Sequence, residues 1–267
     1  LKPSEITPKT AKTLEKLFKR YIDPLVVSIV TGGQEIGASF SALPFNHIVF
    51  TGSTNVGKKI MKAAADNLVP VTLELGGKSP VVIGENSDLE ETCKRLAIAK
   101  SNNGGQLCVS PDILYLPKDK LSQATSLLLE SFRNLFPQIS DNPDFVPMVN
   151  QFHCQRVVGL VEEARASGCD VQSSHDVVEL SSLVSQDKRL PLQLVISPSK
   201  DEKIMQEEIF GPVLILLPYE NMQDVISDIN KVLALIVLIV SRTTSDCPNK
   251  NIGLMINVIA MQYFIMA

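Results

Sequence analysis

Over its first 75 residues the chain alternates helix-type and strand-type patterning across short connections, and this alternation restricts it to few folds. Across 7–21, Ala11, Leu14, Leu17, Phe18 and Tyr21 recur at helical spacing. The β-branched run 26–30, ending at Thr31-Gly32-Gly33, predicts a strand. A helix is expected over 35–43, a strand over 47–50, a turn at Gly52, a helix over 56–66 and a strand over 69–75. Parallel neighbours need a crossover element between them, so this order favours a doubly wound α/β sheet.

After Gly76-Gly77 the pattern continues with strand 80–83, helix 89–102, strand 113–116 and helix 121–135. A Pro-, Asn- and Asp-rich loop follows over 137–147, then helix 151–165, a weakly patterned polar stretch over 173–188, and strands 192–196 and 213–218. Past Asn230 the alternation decays into the apolar runs 232–240 and 252–267. Both are shorter than the roughly 18 to 20 residues that span a bilayer, so no membrane span is expected and both read as buried strands.

A chain of 267 residues with 45% hydrophobic and 20% charged residues can bury a sizeable core. Its net charge of -4 and absence of a basic stripe argue against a nucleic-acid partner. Five cysteines, an odd number without paired spacing, read as reduced thiols in the cytoplasm. The adjacent His153 and Cys154 diverge along the chain and have no second pair at ligand spacing, so no metal site is expected. A start at Leu1 without methionine or targeting segment reads as a fragment.

Four short strings could carry chemistry. In 52–59, Gly52 and Gly57 stand in a turn between predicted strand and helix, with Ser53 beside them, a setting that suits an anion. The string falls one residue short of a phosphate-binding P-loop, because Lys59 occupies the place of the magnesium-holding Ser or Thr. Glu74, ending an apolar strand before Gly76-Gly77-Lys78, lies where α/β sheets bind ligands, although a solvated strand-end acid looks the same. Cys108 follows Gly104-Gly105-Gln106, where small residues leave room around a thiol; such a cysteine is either a nucleophile or a small buried hydrophobe. Glu207-Glu208-Ile209-Phe210-Gly211-Pro212, taken alone, is a helix-to-strand connection.

Together these strings resemble the aldehyde dehydrogenase superfamily. The matches are Lys-Pro-Ser-Glu at 2–5, Phe-Thr-Gly-Ser-Thr at 50–54, Glu-Leu-Gly-Gly-Lys at 74–78, Gly-Gln-Leu-Cys at 105–108 and Glu-Glu-Ile-Phe-Gly-Pro at 207–212. The stretches 70–80 and 205–212 look most like the branch of coniferyl-aldehyde and class-three aromatic and fatty aldehyde dehydrogenases. The resemblance is close to about Asn230 and faint beyond it.

The resemblance implies an aldehyde dehydrogenase-like α/β fold, a partial Rossmann-type parallel sheet followed by an α/β catalytic domain. Residues 1–75 would close the NAD(P)-binding domain, 76–231 would form the catalytic domain, and 232–267 its degraded or truncated end. Lys2 and Glu5 would hold the adenine ribose of NAD or NADP, and the turn of Gly52, Ser53 and Gly57 its pyrophosphate. Glu208 would grip the nicotinamide ribose, with Phe210 packed beside the nicotinamide. Cys108 would attack an aldehyde, the thiohemiacetal would pass hydride to the nicotinamide, and Glu74 would activate water against the resulting thioester. The Cys108 backbone NH would donate to the oxyanion, a contact worth roughly 3 to 4 kcal/mol where preorganised.

The family's Asn oxyanion donor precedes its Lys-Pro-Ser-Glu string and is not in this sequence, nor is the late Pro-Phe-Gly-Gly string, and Leu107 replaces a common Thr. A homodimer is expected of a complete form. The alternative is an inactive family-like fragment that acts through protein contacts.

Overall fold

The computed structural model describes residues 1–177 and 179–230 in full, and the backbone of Val237–Val240 and Asn257–Ile259. The chain divides into two compact units, Leu1–Leu75 and Gly76–Ala267.

In the first unit, helix α1 (Pro8–Tyr21) begins with proline in its first turn and ends with Lys19 and Arg20, where cations offset the carbonyl end of the helix. Helix α2 (Gln34–Ser41) precedes strand β1 (Ile48–Gly52), and helix α3 (Thr54–Ala65) carries the chain across to strand β2 (Val71–Leu75). The two strands pair in parallel from Ile48↔Val71 to Gly52↔Leu75, as the alternation requires. Ser53 caps α3, its hydroxyl accepting from the Val56 NH at 3.4 Å.

The strand expected over 26–30 does not form. Asp23 draws its first half into a turn, accepting the NH groups of Val26 and Val27 on its carbonyl and that of Leu25 on its carboxylate. Its second half makes a single parallel rung with the chain start: the Val30 NH donates to the Leu1 carbonyl and the Leu1 amino group to the Ser28 carbonyl. A β-branched run becomes a strand only where a ladder partner lies along it, and here the Asx turn competes with the ladder.

The second unit holds a seven-stranded sheet in the order β5-β6-β7-β4-β3-β8-β9. Its members are β3 (Pro80–Ile83), β4 (Ile113–Pro117), β5 (Asp170–Ser173), β6 (Gln193–Ile196), β7 (Val213–Tyr219), β8 (Val237–Val240) and β9 (Asn257–Ile259). Pairing is parallel from β6 through β8 and antiparallel at both edges. Helices α4 (Leu89–Ser101) and α5 (Leu121–Leu135) contribute to one hydrophobic cluster and α6 (Gln151–Ala166) to another. Along β4, Leu114 and Leu116 belong to the α4–α5 cluster while Ile113 and Tyr115 belong to the α6 cluster. A strand buried on both faces reads as an unbroken apolar run, which is why Ile-Leu-Tyr-Leu shows no alternation.

Several elements were not expected from the sequence. They are edge strand β5 and the short helices α7 (Leu180–Ser185), α8 (Lys203–Gln206) and α9 (Met222–Ile229). Of the apolar runs beyond 230, Val237–Val240 and Asn257–Ile259 are strands; the rest of both runs lies outside the described residues. Among the described residues, no helix is long and apolar enough to cross a membrane.

Candidate active site

In the first unit the candidate residues fall in two places. The register of β1 and β2 sets Thr51 beside Glu74 and Gly52 beside Leu75, so Glu74 shares the carboxyl end of this sheet with the Gly52-Ser53 turn. Glu74 is exposed there. Gly57 lies buried on β2, where a Cβ would stand 2.8 Å from Leu75 Cδ2, so packing alone accounts for glycine at that position. At the chain start, Lys2 Nζ donates to Glu5 Oε2 at 2.9 Å and to the Pro3 carbonyl at 3.1 Å. That hydrogen bond is the main reason the Glu5 carboxyl lies below its ordinary value. Glu5 lines an open groove with Pro8, Lys12, Glu15 and Gly32.

In the second unit, the end of α4 runs into Asn103, Gly104 and Gly105, three consecutive residues at φ 50°, 63° and 72°. This left-handed stretch reverses the chain and presents Cys108 on an exposed turn closed by the Ser110 NH and the Leu107 carbonyl at 3.0 Å. Buried Gln106 anchors the turn from below. Its Nε2 donates to the carbonyls of Asn103 (2.8 Å) and Pro147 (3.2 Å), and its Oε1 accepts from the Val149 NH (2.8 Å). An exposed thiol on a fixed base can reach a substrate without moving its support.

The other described thiols sit differently. Burial pushes Cys93 up to about 12 and Cys154 up to about 11. Cys169 is raised by partial burial and by Glu202, whose carboxylate accepts its S–H at 3.3 Å. Cys247 lies outside the described residues. Cys154 is wholly buried in the α6 cluster, which gives it a packing role beside the partly exposed His153.

The turn from Glu208 to Pro212 packs directly on the loop before Cys108. A Cβ on Gly105 would overlap the Gly211 carbonyl and stand 3.1 Å from the Pro212 nitrogen, so the two backbones meet with no side chain between them. A Cβ on Gly76 would fall on the Glu208 carboxylate. The Glu208 carboxyl is raised from its ordinary value, first by burial and then by nearby Asp112; the Gly77 NH, Arg156 and Lys78 oppose the rise. Phe210 is partly exposed at φ 50°, unusual for a residue with a bulky side chain.

Beneath this arrangement lies a charged network that sequence reasoning missed. The Asp112 carboxylate, 2% exposed, accepts from Lys78 Nζ (3.2 Å), Lys100 Nζ (3.2 Å) and the Ile209 NH (2.8 Å). Lys78 also donates to the carbonyls of Ile204 (2.7 Å) and Glu207 (2.9 Å), and Arg156 to those of Glu208 (3.1 Å) and Ile209 (2.5 Å). Lys78 stands in the Glu-Leu-Gly-Gly-Lys string, but Asp112, Lys100 and Arg156 carry no local signal because their partners are remote in sequence.

Residues 1–247 match the sequence profile of the Aldehyde dehydrogenase family. The chain belongs to the aldehyde dehydrogenase family. Its relatives include a probable coniferyl aldehyde dehydrogenase of Pseudomonas aeruginosa, 41% identical over 231 residues, covering 86% of this chain and 47% of that protein. The 4,4'-diaponeurosporen-aldehyde dehydrogenase of Staphylococcus aureus is 34% identical, covering 86% of this chain and 49% of the relative. Among solved structures, the substrate-bound state of Staphylococcus aureus AldH superposes with a TM-score of 0.82 at 32% identity, over 91% of this chain and 51% of that one. A Mycobacterium tuberculosis aldehyde dehydrogenase complexed with NAD+ gives 0.75 at 30% identity, over 89% and 49%. The chain thus spans about half the length of the curated relatives it matches, and the expected α/β fold holds across that span. The family's general reaction oxidises an aldehyde to a carboxylic acid.

Proposed function

We infer that this chain carries the nucleophile and the hydrolytic base of an NAD(P)-dependent aldehyde oxidation, with Cys108 in the first role and Glu74 in the second. The observation that carries the reading is the exposed Cys108 thiol on a turn anchored from below by Gln106 and packed, through Gly105, against the Glu208–Pro212 turn. The Cys108 thiolate adds to the aldehyde carbon while its backbone NH donates to the developing oxyanion. Loss of hydride leaves a thioester on Cys108. Glu74, an exposed carboxylate at the end of β2, takes a proton from water, which then hydrolyses the thioester and frees the carboxylic acid and the thiol.

The residues present fit a nicotinamide dinucleotide. Glycine at 76 leaves the space that the Glu208 carboxylate occupies, and that carboxylate can accept from ribose hydroxyls. Phe210 offers a partly exposed ring one residue beyond Ile209. Ser53 opens α3, whose first NH groups suit a pyrophosphate. Lys2 and Glu5 would hold the adenine ribose. When bound, the cofactor supplies the hydride acceptor. The NAD+ complex of a 30%-identical relative favours a nicotinamide cofactor without separating NAD from NADP here. On this reading residues 1–75 close the nucleotide-binding domain and 76–231 belong to the catalytic domain, the complete form is a homodimer, and the reduced thiol suits the cytoplasm. The comparisons lend no support to an inactive fragment acting through protein contacts: the relatives named are aldehyde dehydrogenases.

The test is NAD+- and NADP+-dependent oxidation of an aldehyde panel beginning at coniferyl aldehyde, which three curated relatives carry in their names. Turnover should vanish in Cys108→Ser. Turnover that survives this substitution refutes the assignment, and sedimentation of a full-length form as a monomer would remove the dimer.

A further inference from the structure

The charged network below the site holds backbone rather than substrate-facing atoms. Five bonds converge on residues 204–209: from Lys78 to the carbonyls of Ile204 and Glu207, from Arg156 to those of Glu208 and Ile209, and from the Ile209 NH to Asp112. Asp112 itself lies just beyond Cys108 in the chain, and Lys78 follows the Gly76-Gly77 turn on which the Glu208 carboxylate rests. One buried carboxylate therefore ties together the nucleophile loop, the glycine turn and the Glu208 turn.

We propose that Asp112, with Lys78 and Arg156, is a positioning brace that fixes the Glu208–Phe210 turn for the nicotinamide end of the cofactor before the cofactor arrives. This rests on the functional reading above. Two physical arguments support it. Buried charges packed among apolar residues are seldom the most stable filling for a core, so their bonds to one backbone segment point to geometry rather than stability. Phe210 holds a left-handed conformation that a bulky residue keeps only where its surroundings over-determine it, and the brace ends on the residue before it. The Glu208 carboxylate is not one of the braced backbone atoms, so it can serve a ligand while its own main chain stays in place.

Asp112→Asn and Arg156→Lys test this. Asp112→Asn removes the charge that the two lysines share, and Arg156→Lys keeps a cation but loses the fork that reaches two carbonyls. In both, KM for NAD+ should rise, by roughly tenfold or more for Asp112→Asn given the cost of small displacements of catalytic geometry. KM for the aldehyde should stay within about twofold when rates are normalised to burst-titrated active sites. Should Asp112→Asn fail to fold, the half-buried Arg156 still permits the measurement. An unchanged KM for NAD+ in the active sites that remain, with only melting temperature or active fraction reduced, would overturn the brace. Hydrogen exchange gives an independent reading in the cofactor-free protein: slow exchange at the Ile209 amide that quickens in Arg156→Lys supports it, and surface-like exchange in the wild type overturns it. That readout separates the two ideas, since wild-type protein that reduces no NAD+ defeats the functional reading, while the Ile209 amide still decides the brace.

Discussion

Cys108 differs from the other described thiols by being exposed, whereas Cys93 and Cys154 must lose a proton inside the core. Limited alkylation near neutral pH should therefore label Cys108 first, and peptide mapping that finds Cys93 or Cys154 ahead of it would contradict the site. Glu208 makes a second prediction with a definite sign. Its raised carboxyl value means that acidification removes its charge sooner than from an exposed glutamate, so KM for NAD+ should climb as pH falls toward that value. In the folded chain the proton is held more tightly than in the unfolded one, so the group's contribution to stability falls as pH rises above 4.5 through the raised value. Glu208→Gln should abolish both dependences, and a persisting acid limb in KM for NAD+ would assign it elsewhere. At this scale the sequence showed the residues with motif neighbours, Glu74, Cys108 and Glu208. It hid Asp112, whose three partners come from positions 78, 100 and 209.

Among the elements, the loop from Asn103 to Gly105 is where local conformation matters most. Gly105→Ala would place a Cβ on a residue at φ 72° and against the Gly211 carbonyl, combining strain with overlap. A loss of about 3 kcal/mol or more is expected in denaturant titration, going by the cost of strained backbone plus the clash. An ordinary cap change should be milder: Asn150→Ala, which removes a 2.8 Å bond to the His153 NH at the start of α6, should cost about 1 kcal/mol. Equal effects from the two would mean that the backbones near Gly211 can part cheaply. Elements with a strong pattern were readable in advance: β2 by its alternation, β4 by its unbroken apolar run and α5 by its helical period. Edge strand β5 was not, because Asp-Val-Gln-Ser holds a single apolar residue, and α7 and α8 are too short to show a period; α9, as long as α2, has Met222, Val225, Ile226 and Ile229 at helical spacing, a legible signal that was missed. The run 26–30 erred the other way, since β-branched composition could not reveal the Asp23 turn.

At the scale of the whole molecule, two compact units carry the proposed roles in sequence order: nucleotide turn and base at the carboxyl end of β1 and β2, nucleophile and cofactor grip on the seven-stranded sheet unit. The order of the five strings made the family legible, although the chain spans about half of its relatives. Everything proposed for the site turns on the division of labour between Cys108 and Glu74. Rapid mixing of the protein with NAD+ and aldehyde measures it, comparing wild type, Cys108→Ser and Glu74→Gln. No NADH is expected from Cys108→Ser. From Glu74→Gln a burst near one NADH per active site is expected, followed by turnover slowed by about 10² or more, as loss of a general base implies. A Glu74→Gln protein without a burst would contradict that division of labour, because the carboxylate would then act on the thiol before hydride transfer rather than on water after it.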